Sequence, residues 1–272
     1  MSTPPELAAL ADGVLAAHDG ARLMPLPSTV VPGLTLDDAF AVADEVRRRR
    51  VARGERVRGW KIGFTNRTIW DRYGVHAPIW GPVWDTTLRL LDGTEATLPL
   101  AGLVQPRLEP EIVFGFARSP EPGLDEAALA ARLEWVAHGV EVVHTHCEGW
   151  RFTAADTVAD GALHGHLLVG PRVAVAAWPR LGAELAAATM TLACDGEVVD
   201  RGVGANVLGG PLAALRLWID AMAMRTPAWR IEPGHVVTTG TLTDAWPLSP
   251  DQRWTTTPGD RRLAGLTLDV SR

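Results

Sequence analysis

The chain has 272 residues, of which 47% are apolar and 21% charged, with a formal net charge of -6. That length buries a sizeable core in one large domain or two, and the negative balance removes the electrostatic case for a nucleic-acid partner. The only two cysteines, Cys147 and Cys194, make neither a disulfide framework nor a thiolate zinc site. No run of about 18 apolar residues is present. Residues 1–20 lack the basic-then-apolar order of a signal peptide. The expectation is a cytoplasmic protein with no membrane segment.

Residues 5–18 read as an alanine-rich helix, followed by a loop with Pro25, Pro27 and Pro32. Thr35-Leu36-Asp37-Asp38 has the layout of a capping box, with Asp in place of the usual Glu or Gln. The helix it opens carries Ala39, Phe40, Ala43 and Val46 on one face and runs to about Arg53. Arg47 to Arg50 end it as a solvated run that favours the helix dipole. Residues 1–55 therefore read as a helical cap ahead of the main body.

Val57 to Phe64 reads as a strand with Lys61 between Trp60 and Ile62. Burial would lower the lysine pKa and fit it for proton transfer; a wet strand face is the equal alternative. Thr65 to Gly93 reads as loop-rich. Leu108 to Phe116 reads as a strand, so Glu109 and Glu111 share a face. Like charges there repel unless neutralised, and a hard divalent cation with oxygen ligands is one solution. Taken alone, Glu-x-Glu more often marks a solvated strand face.

Residues 124–138 carry a helical pattern ended by Gly139, and residues 140–143 read as a strand. Glu141 stands there between valines, and a buried carboxylate needs an arginine, a backbone amide or a metal. Glu109, Glu111 and Glu141 together would leave half an octahedron free. Asp156 and Asp160 lie one helical turn apart and share a face. The pairs His144/His146 and His164/His166 have zinc-ligand spacing, but no third soft ligand is near in sequence; they read as core or surface histidines. Asp195-Gly196 marks the turn of a hairpin over 189–204, and Pro211 opens a helix over 211–224. His235 to Leu242 is a threonine-rich strand whose hydroxyls, Thr241 among them, bind a ligand carboxylate or the backbone. Pro258-Gly259-Asp260 makes a turn before a last strand, 263–270. The pattern is a β-rich α+β body.

Five segments in order resemble one family. They are Gly59-Trp60-Lys61-Ile62-Gly63-Phe64-Thr65, Leu108-Glu109-Pro110-Glu111-Ile112-Val113-Phe114, Glu141, Ala155-Asp156-Thr157-Val158-Ala159-Asp160 and Gly204-Ala205-Asn206-Val207-Leu208-Gly209. They look like the successive motifs of the fumarylacetoacetate hydrolase superfamily, in its 2-keto-4-pentenoate hydratase and 4-oxalocrotonate decarboxylase branch. The resemblance covers residues 30–270. It implies a mixed β-sandwich roll over residues 56–272 as the catalytic domain, and a homo-oligomer. It implies Mg²⁺ or Mn²⁺ on Glu109, Glu111 and Glu141, with Lys61 as acid/base and a small 2-oxo or 2-hydroxy acid as substrate. Leu108, Asp156, Asp160 and Thr241 are the expected substrate contacts.

The implied activity is hydration of a 2-hydroxy-2,4-dienoate. Decarboxylation or C–C hydrolysis on the same metal, or a silent partner subunit, are the alternatives. Two departures stand out. Ile79 replaces the aspartate that usually follows the proline of Gly-Val-x-x-Pro, and Asp160-Gly161-Ala162-Leu163-His164 replaces an Asp-Asn-Ala-Ser-like stretch. His76 or His164 is the expected substitute proton carrier.

Overall fold

The structure, a computed structural model, describes residues 3–67, 70, 77–226 and 228–272. His76 lies outside the described residues. Three helices come first: α1 (Pro5–Asp19), α2 (Pro27–Val30) and α3 (Leu36–Ala52). The capping box forms as expected. Thr35 Oγ1 accepts the Asp38 N–H, and the Asp38 carboxylate accepts the Thr35 N–H. The apolar stripes of α1 and α3, including Leu10, Val14, Phe40 and Val46, join the same core as Trp60, Ile112 and Leu215. The arginine run at the end of α3 is tied down rather than merely solvated, with Arg49 paired to Glu45 and Arg50 to Glu55.

Strands and helices then alternate: β1 (Val57–Gly63), β2 (Ile79–Trp84), β3 (Leu88–Leu90), β4 (Glu95–Pro99), β5 (Arg107–Phe116), α4 (Glu126–Ala130), β6 (Leu133–Val143), α5 (Ala154–Ala159), β7 (His164–Val169), β8 (Val173–Ala174), α6 (Leu181–Ala187), β9 (Thr189–Cys194), β10 (Glu197–Val203), α7 (Pro211–Arg225), β11 (Val236–Thr241), β12 (Trp246–Pro247), β13 (Arg253–Pro258) and β14 (Thr267–Ser271). A nine-stranded mixed sheet has the order β2-β1-β11-β5-β6-β7-β3, with β12 on β5 and β8 on β6. A five-stranded sheet runs β10-β9-β13-β14-β4. A second core, including Leu108, Val140, Leu168, Trp254 and Leu268, joins residues of the two sheets. The α+β sandwich roll is therefore present. The 189–204 hairpin turns at Asp195-Gly196, both with positive φ, as its dipeptide requires.

Two expectations fail locally. Residues 124–138 are not one helix: α4 stops at Ala130, and β6 begins at Leu133. Pairing on both sides decides this. β6 lies between β5 and β7 and pairs with β5 from Phe116↔Leu133 to Arg107↔Val143, so the ladder overrides helical spacing. Gly139 does not end a helix but sits inside the strand. A β-carbon there would come within 2.7 Å of Val113 Cγ2 and 2.9 Å of the Leu168 carbonyl oxygen. The segment read as loop-rich contains β2, every residue of which is buried. Gly81 and Pro82 disguised it, and a proline is admissible because, among the described residues, β2 is an edge strand that pairs only with β1.

Candidate active site

Strand register builds the site. Glu109 stands directly opposite Glu141 on β6, and Glu111 opposite Thr241 on β11. Lys61 on β1 is level with Thr238 on β11. Alternation on β5 sends Leu108, Pro110 and Ile112 one way and Arg107, Glu109 and Glu111 the other. A carboxylate oxygen from each of Glu109, Glu111 and Glu141 then lies within 4.8 Å of the others. Glu111 and Glu141 are fully buried.

Each buried carboxylate is held from behind. Glu111 Oε2 accepts the Thr238 hydroxyl and, at 2.7 Å, the Gly240 N–H. Gly240 has φ +105°, and a β-carbon there would strike Thr65 Oγ1, so the amide reaches Glu111 only from a glycine. Glu141 Oε1 lies 2.8 Å from His164 Nδ1, whose other nitrogen faces Thr87 Oγ1 at 2.8 Å. A carboxylate only accepts, so Nδ1 carries the proton. Lys61 Nζ is 3.2 Å from Glu141 Oε2 and donates to the Ala162 carbonyl at 3.1 Å. That carbonyl belongs to a turn in which Gly161, Ala162 and Leu163 all have positive φ. For Ala162 and Leu163 this is strained backbone, the kind that collects at functional sites.

Burial raises the pKa of all three glutamates. Glu109 goes up to about 8, with Lys61 pulling against burial. Glu111 is held well above the usual range by burial and the nearby Glu141 charge, and Glu141 is raised by burial against the pull of Lys61. Lys61 corrects an expectation. Burial pulls its pKa down, but the charges of Glu141, Glu109 and Glu111 outweigh burial, and the net direction is up. Glu111 Oε1 is buried with no hydrogen-bond partner among the described residues. Three carboxylates, one with a bare buried oxygen, fit a hard divalent cation such as Mg²⁺ or Mn²⁺.

A cavity of about 300 Å³ opens at this site. Lys61, Glu109 and Thr241 line it, as expected. Arg107, Trp150, Phe152 and Trp246 also line it, and the sequence reading missed them. Arg107 had a legible signal, since it shares the Glu109 and Glu111 face two residues earlier. Its guanidinium lies 4.1 Å from the Trp150 ring centroid. Ile79 is a fully buried apolar lining residue where an acid was expected.

Six expected site residues lie off the cavity lining: Glu111 and Glu141, fully buried beside Glu109, and Leu108, Asp156, Asp160 and His164. The Leu108 side chain packs into the second core. Asp156 caps α5 by accepting the Thr153 N–H, and it also accepts the Ser28 N–H at 2.7 Å. Asp160 accepts bonds from Thr145 and His146 and contacts His18. His164 sits behind Glu141, a positioning place rather than the proton-transfer place expected of it.

No protein-family model matches the chain. It is 33% identical over 224 residues to the 2-hydroxyhexa-2,4-dienoate hydratase of Comamonas testosteroni, covering 82% of each chain. It is 30% identical over 250 residues to a 4-oxalocrotonate decarboxylase of Pseudomonas sp. (strain CF600), covering 91% of each. The chain belongs to the 2-keto-4-pentenoate hydratase and 4-oxalocrotonate decarboxylase family. The family member 4-oxalocrotonate decarboxylase from Pseudomonas putida G7, complexed with magnesium and adipate, has the same fold. Its TM-score is 0.89 at 26% identity over 99% of each chain. The relatives named here are lyases. No helix among the described residues is long and apolar enough to cross a membrane.

Proposed function

We propose that the chain is a Mg²⁺- or Mn²⁺-dependent hydratase that adds water to a 2-hydroxy-2,4-dienoate. The observation that carries this reading is the convergence of three carboxylates beside a buried lysine, with Glu109, Lys61 and Arg107 lining one cavity. Glu109, Glu111 and Glu141 would hold the ion, which supplies Lewis-acid stabilisation of negative charge on the substrate's 2-oxygen. Arg107, spread over Trp150, takes a substrate carboxylate in the planar geometry guanidinium groups favour. Lys61, held ammonium-like by its carboxylate neighbours, moves the proton between the 2-hydroxyl and the carbon chain. Tautomerisation leaves a conjugated 2-oxo acid, and water adds at its carbon 4. Ile79, Phe152 and Trp246 give the cavity its apolar share.

A second reading, decarboxylation of a 2-oxo diacid, has two specific supports. Ile79 offers no acid for the water-addition step. The decarboxylase from Pseudomonas putida G7 matches the fold over 99% of both chains. Turnover of 2-hydroxypenta-2,4-dienoate by metal-stripped protein, with and without Mg²⁺, separates the two. Metal-dependent formation of a 4-hydroxy-2-oxo acid supports the hydratase. No reaction on the dienoate, together with CO₂ release from a 2-oxo diacid, replaces it with the decarboxylase. Bound metal with neither reaction leaves a silent partner subunit. The reading also carries a cytoplasmic homo-oligomer, and sedimentation at one protomer mass would remove the oligomer.

A further inference from the structure

Away from the carboxylate centre, three histidines meet. His18 comes from the end of α1, and His144 and His146 follow β6. One ring nitrogen from each lies within 4.8 Å of the other two. The ring centroids of His18 and His146 are 4.1 Å apart, and those of His144 and His146 are 4.7 Å apart. His144 and His146 carry the His-x-His spacing that lacked a third ligand in sequence, and the fold brings His18 to them from the other end of the chain.

His146 is the deciding residue. Its side chain is fully buried. Its Nδ1 lies 2.7 Å from Asp160 Oδ1, so it donates there, and its Nε2 has no hydrogen-bond partner among the described residues. A lone pair is thus left bare in a dry place, and the opposite nitrogen is anchored by a carboxylate. Metal-bound histidines have this arrangement, in which the carboxylate fixes the tautomer and raises ligand basicity. Asp160 also contacts His18 Nε2 at 3.1 Å and accepts the Thr145 hydroxyl at 3.0 Å and the His146 N–H at 2.9 Å. Among the described residues, the one bond set against coordination is long: the Val104 N–H reaches His144 Nδ1 at 3.4 Å.

We propose that His18, His144 and His146, backed by Asp160, form a second metal site for a borderline divalent ion of the Zn²⁺ class. Imidazole nitrogens suit such an ion, whereas the all-oxygen set of Glu109, Glu111 and Glu141 suits Mg²⁺ or Mn²⁺. The site is structural. It ties the end of α1 to the segment after β6, where the Met24 N–H already bonds the His146 carbonyl at 2.8 Å. Asp160 also begins the turn whose Ala162 carbonyl receives Lys61, so the ion steadies the lysine from outside the cavity.

The test is Zn²⁺ stoichiometry on chelator-treated full-length protein, with thermal midpoint as the second readout. Wild type is expected to bind two equivalents of Zn²⁺, because Zn²⁺ also enters the carboxylate centre. Glu111→Gln is expected to keep the histidine-bound equivalent, and His146→Gln to lose it. His18→Gln, at a partly exposed helix position, gives the same answer should His146→Gln not fold. Zn²⁺ is expected to raise the midpoint of Glu111→Gln but not that of Glu111→Gln/His18→Gln. Unchanged stoichiometry in both histidine variants, or a single equivalent in wild type that Glu111→Gln abolishes, overturns the proposal. Neither result bears on turnover of the dienoate.

Discussion

The donor atoms of Glu109, Glu111 and Glu141 are as closely set as those of His18, His144 and His146, yet the two groups are positioned by different means. The carboxylates stand on neighbouring strands of one sheet, and paired backbone bonds fix their spacing whether or not a cation is present. The histidines come from a helix end and a loop, and Asp160 and the docking of α1 bring them together. Charge separates them too. Three carboxylates repel and must share protons, a lysine or a cation, whereas three imidazoles can stay neutral around one aspartate. The first group reaches a cavity through Glu109 and can meet a substrate there. The second lies off that cavity and would hold the fold.

Removing a carboxylate should break the comparison most visibly. Glu111→Ala takes away a proposed ligand that two donors hold in place. It should weaken metal binding by more than the roughly 10–100-fold typical of losing an outer partner, and turnover should vanish with it. Calorimetry with Mg²⁺ checks this, and an unaltered affinity would dismantle the three-carboxylate site. Lys61→Ala comes next. It should lower kcat by roughly 10²–10⁴-fold while metal stays bound. Full turnover in a folded, metal-loaded variant would take Lys61 out of the reaction.

A third expectation concerns His138, a buried β6 histidine that belongs to neither group. Its Nδ1 lies 3.0 Å from the Glu111 carbonyl oxygen and its Nε2 2.8 Å from Thr256 Oγ1, bridging the two sheets. Burial depresses its pKa to about 4. The folded value lies below the unfolded one, so the unfolded chain holds more protons between them. Stability is therefore complete above about pH 6.5 and falls as pH drops toward 4, by about 3 kcal/mol at most. Denaturant unfolding at pH 7 and pH 5 should show this loss in wild type and a smaller one in His138→Gln. Equal losses would clear His138 of the effect.

The sheet-borne group was the more legible in sequence, and the reason is local. Glu109 and Glu111 announce a shared face by alternation alone, and Glu141 announces a need by standing between valines. Their meeting is not local, because nothing in residues 107–143 states the pairing of Glu109 with Glu141. The same strand shows the limit from the other side. Ala127, Ala128, Ala131 and Trp135 have helical spacing, and only the flanking strands turn the second half of that stretch into β6. The Asp160 N–H bonds the Asp156 carbonyl oxygen one turn back, but their carboxylates contact Ser28 and His18, which belong to the N-terminal helices. No pattern near residue 156 could show that these aspartates bind the helical cap rather than a substrate.

His164 stands between the two modes, because it is a histidine that acts on the carboxylate group. As a proton carrier it would need its ring on the cavity. Instead it donates from Nδ1 to Glu141 Oε1, which would orient a proposed ligand. The two roles respond differently to substitution. His164→Asn places an amide N–H near the position of Nδ1 and keeps the donor. His164→Leu keeps bulk and loses the donor. For a positioning residue, His164→Leu should cost roughly 10–100-fold in metal affinity, His164→Asn should recover most of that loss, and kcat at saturating Mg²⁺ should change little in either. A proton carrier would show the opposite pattern, since asparagine cannot titrate: both variants would lose kcat alike with the metal still tightly bound. That outcome would restore His164 to the chemistry and leave Glu141 to be oriented by Lys61 alone.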